Sequence, residues 1–132
     1  MTKKEITELL SFLPQFETEP ASAFFQWGEK DEDGELCVHS YPQYTSKMRD
    51  FVDAAYDSGL LRWDYQTVIE KAQGSEEYVS DLIEGADFPL ICAILSFYVM
   101  GEKDCEGLWA SAVFDKIFQK ILYRIQEIES NI

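Results

Sequence analysis

The sequence predicts a mainly α protein: a single helical domain of five or six helices with a small β-hairpin at about residues 23–41. Three observations predict it. Apolar residues recur at helical spacing along most of the chain. Those runs are bounded by proline, glycine or capping residues. The stretch 15–45 alone lacks the period and is rich in turn formers. At 132 residues the chain fits one domain, residues 1–132. With 46% hydrophobic and 14% aromatic residues it can fill a core, which excludes disorder.

The first helix begins at "TKKE", a capping box of Thr2 and Glu5. Ile6, Leu9, Leu10 and Leu13 form its stripe, and Pro14 is expected to stop it. "TSKMRDFVDAAYDSG" reads as a helix with Met48, Phe51, Val52, Ala55 and Tyr56 on one face and Gly59 at its end. Asp64 is placed to cap "YQTVIEKAQ", and Ser75 to cap "EEYVSDLIE". Asp87 caps "FPLICAILSFYVM", with Pro89 in the first turn. That helix is apolar nearly all round, so it is expected at the centre of the core. Gly101 should end it. The last helix runs from about Leu108 to Glu129, with Ala110, Val113, Phe114, Ile117, Ile121, Ile125 and Ile128 as its stripe.

The hairpin is built from "AFFQW" and "ELCVHSY", joined at Asp33-Gly34, a favoured two-residue turn. That register sets Glu29 opposite Val38. It puts Phe25, Trp27, Leu36 and Val38 on one face, and Gln26, Cys37, His39 and Tyr41 on the other. The turn also imitates a calcium loop, with Glu29, Asp31 and Asp33 at ligand positions 1, 3 and 5 and Gly34 at the turn position 6. The last ligand position, which needs a bidentate carboxylate, is Ser40, and neither flank reads as a helix. The stretch is therefore a charged hairpin tip, and no metal site is expected.

Charge narrows the function classes. Twenty-five acids against 11 bases give a net charge of −14. Residues 1–45 and 46–87 each carry −6, and residues 88–132 carry −2. This argues against direct nucleic-acid binding and against docking on anionic membranes. It fits solubility, an acidic face for a basic protein, or mimicry of nucleic acid. No apolar run reaches the roughly 20 residues of a membrane span. "MTKKEITELLSF" has no apolar core of a signal peptide. With three widely spaced cysteines (Cys37, Cys92 and Cys105) the expectation is free thiols in the cytoplasm.

Few residues point to chemistry. Cys37 and His39 share a strand face but lack an orienting third group. There is no Cys-x-x-Cys, no His-Glu-x-x-His and no glycine-rich phosphate loop, so no cofactor is implied. The connection "GEKDCEG", residues 101–107, draws attention because it places carboxylates between two helices. Its catalytic candidates, as general acid or base, are Glu102, Asp104 and Glu106. Their plain alternative role is to complement the next helix's dipole. Binding candidates are Trp27, Tyr41, Tyr44 and Lys103. Lys116, Lys120 and Arg124 form a row that reads first as a solvated helix face.

These pieces, in this order, resemble a small bacterial domain-of-unknown-function family. It pairs an early L-x-F-L-P-x-F segment with a late R-G-E-R-F-x-E-G segment before a long terminal helix. Leu10, Phe12, Leu13, Pro14 and Phe16 match the first, and Gly101, Glu102, Glu106 and Gly107 match the second. Trp27 and the Pro42–Tyr44 stretch match between them. Met100 and Lys103 stand where the family tends to have arginine, and Asp104 replaces an aromatic. The resemblance implies a bacterial, cytoplasmic, single-domain protein and no known activity. The resulting expectation is a non-enzymatic module that binds a protein. The alternatives are a small enzyme acting through the 101–107 loop, and a nucleic-acid mimic that binds a basic protein.

Overall fold

The computed structural model describes residues 3–26, 29–30, 36–37, 43–74, 78–103, 105 and 107–130. It is mainly helical. The helices are α1 (Lys3–Leu10), α2 (Leu13–Thr18), α3 (Ser46–Asp57), α4 (Tyr65–Gln73), α5 (Phe88–Met100), α6 (Leu108–Phe114) and α7 (Ile117–Ser130). Short 3-10 turns lie at Ala21–Ala23, Val79–Leu82 and Gly101–Lys103. No helix among the described residues is long and apolar enough to cross a membrane.

Helix α5 is the axis of the core, as its composition requires. Ile91 to Ser96 and Tyr98 to Met100 are all buried. Asp87 caps it as expected, its carboxylate accepting the Leu90 N–H at 3.0 Å. Against it pack α4, α6 and α7. A cluster of rings fills the space towards the N-terminal helices. Phe118, fully buried, meets Phe51 edge to face at 4.9 Å and Tyr98 at 6.3 Å. Phe16 stacks on Phe24 at 4.7 Å and meets Phe51 edge-on at 4.9 Å. Offset and perpendicular ring pairs are the favoured arrangements of aromatic quadrupoles.

Several expectations change. Pro14 does not end the helical run: it sits in the first turn of α2, where its missing N–H costs nothing. The break comes earlier, at Ser11 and Phe12, where the Ser11 hydroxyl donates to the Glu8 carbonyl. Of the helix expected after Ser75, the described residues form only the 3-10 turn Val79–Leu82. Tyr78 takes an extended backbone immediately before it, φ −117° and ψ 138°, which a helix cannot continue through. Ser75 and Thr2, the expected caps, lie outside the described residues. Asp64 precedes α4 as expected but makes no capping bond; its carboxylate is held by Arg62 instead.

The small β-hairpin is not supported. The described residues of that region form only two-residue antiparallel pairings, not a hairpin of the expected length. Phe25-Gln26 pairs with Gln43-Tyr44, and Glu29-Lys30 pairs with Leu36-Cys37. Glu29 lies opposite Cys37 rather than Val38, and a one-residue slip exchanges the two faces of a strand. The Asp33-Gly34 turn, His39 and the calcium-like positions Asp31 and Ser40 lie outside the described residues.

The terminal helix is broken. Lys116 adopts a left-handed backbone, φ 62°, between α6 and α7. The Lys116 N–H bonds back to the Val113 carbonyl at 3.1 Å, and α7 restarts with Lys120 N–H on the Lys116 carbonyl. Phe114, the last residue of α6, is 73% exposed although Ala110 and Val113 of the same helix are buried. A left-handed conformation costs a residue with a Cβ about 1–2 kcal/mol. Lys116→Gly should therefore stabilise the protein by about 1 kcal/mol in urea unfolding. In a continuous helix the same glycine would destabilise by about 1 kcal/mol, and that result would contradict the break.

Candidate functional site

The 101–107 connection folds into a compact hydrogen-bonded node. Gly101 is not a left-handed stop; the chain continues into the turn Gly101–Lys103. A Cβ there would lie 2.7 Å from Leu108 Cδ2, so a side chain at 101 would make the end of Leu108 move. Gly107 is required for conformation, with φ 93° immediately before α6. Between them, Glu102 turns back onto the start of α6. Its Oε1 accepts the Gly107 N–H at 3.0 Å, and its Oε2 accepts the Trp109 N–H at 2.9 Å. A carboxylate at that end satisfies N–H groups that the helix cannot and complements its dipole.

Tyr44 completes the node from the other side of the domain. Its hydroxyl donates to Glu102 Oε1 and accepts the Ala110 N–H at 3.2 Å. Its ring packs on Trp109 with centroids 4.9 Å apart, and Trp109 Nε1 donates to the Val99 carbonyl at 3.0 Å. Thr45 fixes the approach of Tyr44: its N–H donates to the Phe24 carbonyl and its hydroxyl to the Ala23 carbonyl. Burial, and then the hydrogen bond to the Glu102 carboxylate, push the Tyr44 phenol far above its ordinary value.

Among the sequence-predicted residues, the structure thus brings Glu102 and Tyr44 together. Lys103 is exposed beside them. Trp27, Tyr41, Asp104 and Glu106 lie outside the described residues. Both Glu102 oxygens are already engaged in holding the fold. Trp109 escaped sequence reasoning. Its only signal is its place, seven residues after Glu102 and just beyond a glycine that ends a turn. Among the described residues no group of three or more potential ligand side chains is gathered for a metal ion.

The basic row divides as well. Lys116 belongs to the helix break, while the Arg124 Nε donates to the Ala86 carbonyl at 2.7 Å. Lys120 and Arg124 line a cleft of about 390 Å³, but Asp81, Glu84 and Glu127 share it, so it is no simple anion site. Another missed region is the 58–64 segment between α3 and α4, which carries Trp63 at 85% exposure. Beside it, Leu60, Leu61, Phe88, Pro89 and Cys92 line a hollow of about 230 Å³. Burial pushes the Cys92 thiol up to about 11.

Two outcomes follow from this geometry. Tyr44→Phe removes a hydroxyl that serves Glu102 and Ala110, and should cost about 1–3 kcal/mol of stability. The Tyr44 phenol is raised in the folded state, so its contribution is complete below its ordinary value of about 10 and is lost as pH rises beyond it. Urea midpoints across pH 8 to 11 should fall less steeply for Tyr44→Phe than for the wild type. For the thiols, Cys105 is exposed and Cys92 buried. Native-state labelling at pH 8 should lose one reactive thiol in Cys105→Ser and none in Cys92→Ser.

No curated protein and no solved structure matches the chain. A family model does, over residues 1–131. The chain that folds around this node belongs to a family of unknown function, DUF6508.

Proposed function

We propose that the protein is a non-enzymatic binding module whose acidic surface engages a basic protein. The observation that carries this reading is the engagement of Glu102. The carboxylate best placed for catalysis between the two helices accepts two backbone N–H groups and the Tyr44 hydroxyl, so it serves the fold. The charge surplus of −14 is then the chain's main chemical resource. Asp50, Asp53 and Asp57 are exposed at helical spacing on α3 and present part of it in a row. The free thiols Cys92 and Cys105 support a reducing, cytoplasmic setting. An enzyme acting through the 101–107 loop has less support, because it would have to release Glu102 from the node.

Affinity capture with the folded protein tests the reading. A protein from the source cell should be retained at about 50 mM salt and released by about 500 mM, as screening shortens the range of the charges. Retention should weaken with the triple variant Asp50→Asn, Asp53→Asn and Asp57→Asn. Absence of any specifically retained protein at low salt overturns the proposal. Release of the captured protein by duplex DNA identifies the partner as a nucleic-acid-binding protein and the acidic face as a mimic.

A further inference from the structure

The 80–84 segment and one face of α7 enclose a cleft of about 390 Å³, a volume within the range of small-molecule sites. Its two walls differ in sign. The segment wall carries Asp81 and Glu84, both exposed. The α7 wall carries Lys120 and Arg124 one turn apart, with Glu127 beyond them. The buried Ile83 gives the cleft an apolar base. The Tyr123 ring, tied through its hydroxyl to Glu17 at 2.6 Å, lines the α7 side.

Opposite charges within reach of one another gain by pairing. Among the described residues, however, no ion pair crosses this cleft. The Asp81 and Glu84 carboxylates and the Lys120 ammonium make neither a hydrogen bond nor an ion pair among those residues. Arg124 is fixed in another way. Its Nε donates to the Ala86 carbonyl at 2.7 Å, just beyond the segment wall, and its side chain is 24% exposed. Its Nη1 stands 3.6 Å from the Glu127 carboxylate, too far for a hydrogen bond. The guanidinium is thus held by a backbone carbonyl, and its Nη donors are left to serve the cleft. A simple anion entering here would face Asp81 and Glu84, and a simple cation would face Lys120 and Arg124. One molecule that carries both charges satisfies both walls.

We propose that this cleft binds a small zwitterion of the amino-acid class. The ligand's carboxylate sits between Lys120 and the Nη side of Arg124, whose planar fork matches it. Its ammonium turns to Asp81 and Glu84 on the opposite wall. With charged side chains on both walls, an apolar ligand has little to gain there. The site is separate from the acidic row on α3, so it stands or falls independently of the protein-binding role.

Nitrogen-15 spectra of the wild-type protein, recorded with each standard amino acid in turn at about 5 mM, test this. At least one should shift the amides of 80–84 and of 120–127 together. Its carboxamide, which lacks the carboxylate, and its N-acetyl derivative, which lacks the ammonium, should each bind at least tenfold more weakly. The double variant Asp81→Asn, Glu84→Gln changes only exposed side chains and should weaken the zwitterion at least tenfold. Lys120→Gln should weaken it severalfold. If no amino acid shifts these amides, the inference is overturned. Equal binding of the carboxamide or of the N-acetyl derivative also overturns it, since the cleft would then read only one charge. Unchanged binding by the double variant overturns it as well.

Discussion

A buried hydroxyl on the most apolar helix of the chain organises the molecule. Ser96 sits fully buried in the middle of α5. A polar atom in that position must find partners or cost the fold dearly. It finds two: it donates to the Cys92 carbonyl one turn back at 2.7 Å, and it accepts the Arg62 N–H. The second bond crosses from the core to the surface. It fixes where the α3–α4 connection passes over α5, and so where Trp63 emerges. One turn later along the same helix, the Val99 carbonyl holds Trp109 and with it the start of α6. Helix α5 thus carries two connections, each attached through one side chain–backbone bond.

The two connections use charge in opposite ways. At the α5–α6 turn, Glu102 is drawn inward, and its charge is consumed by backbone N–H groups and a phenol. At the α3–α4 connection, Asp64 stays at the surface and its charge is matched by Arg62. Exposed ion pairs contribute little to stability, so the Arg62–Asp64 fork acts through geometry, by fixing the loop's shape. The same residue class therefore builds the interior in one place and shapes a surface in another. Composition alone does not separate these roles.

Much of the helical layout was legible in the sequence. The all-round apolar run of α5, its Asp87 cap and most of the α3 stripe follow from periodicity: Met48, Phe51, Val52 and Ala55 are buried, while Tyr56, expected with them, is exposed. The misreadings have physical causes. Phe114 fits the stripe of one continuous helix, but α6 ends with it, and a lysine gives no warning of the left-handed conformation at 116 that separates α6 from α7. The Glu29 register depended on a turn type inferred from two residues, where one slipped residue reverses the faces. For the site, "GEKDCEG" did mark a place where carboxylates matter. The partnership of Glu102 with Tyr44, 58 positions away, has no local pattern to reveal it. Trp63 was invisible for a related reason: one aromatic between two charged residues reads the same whether packed or bare.

The left-handed residue at 116 also divides the chain into parts that can open separately. Helix α6 has seven residues, too few to persist without outside contacts. Behind it the backbone is uncoupled from α7 at Lys116, and ahead of it the Tyr44–Glu102 node is its main polar attachment. Without that node α6 would be held by the burial of Ala110, Ala112 and Val113 and by the Trp109–Val99 bond. Opening of α6 then has its own equilibrium, shallower than global unfolding, and it would be visible as a block of amides that exchange together. A single backbone angle thereby marks where such a local opening would stop.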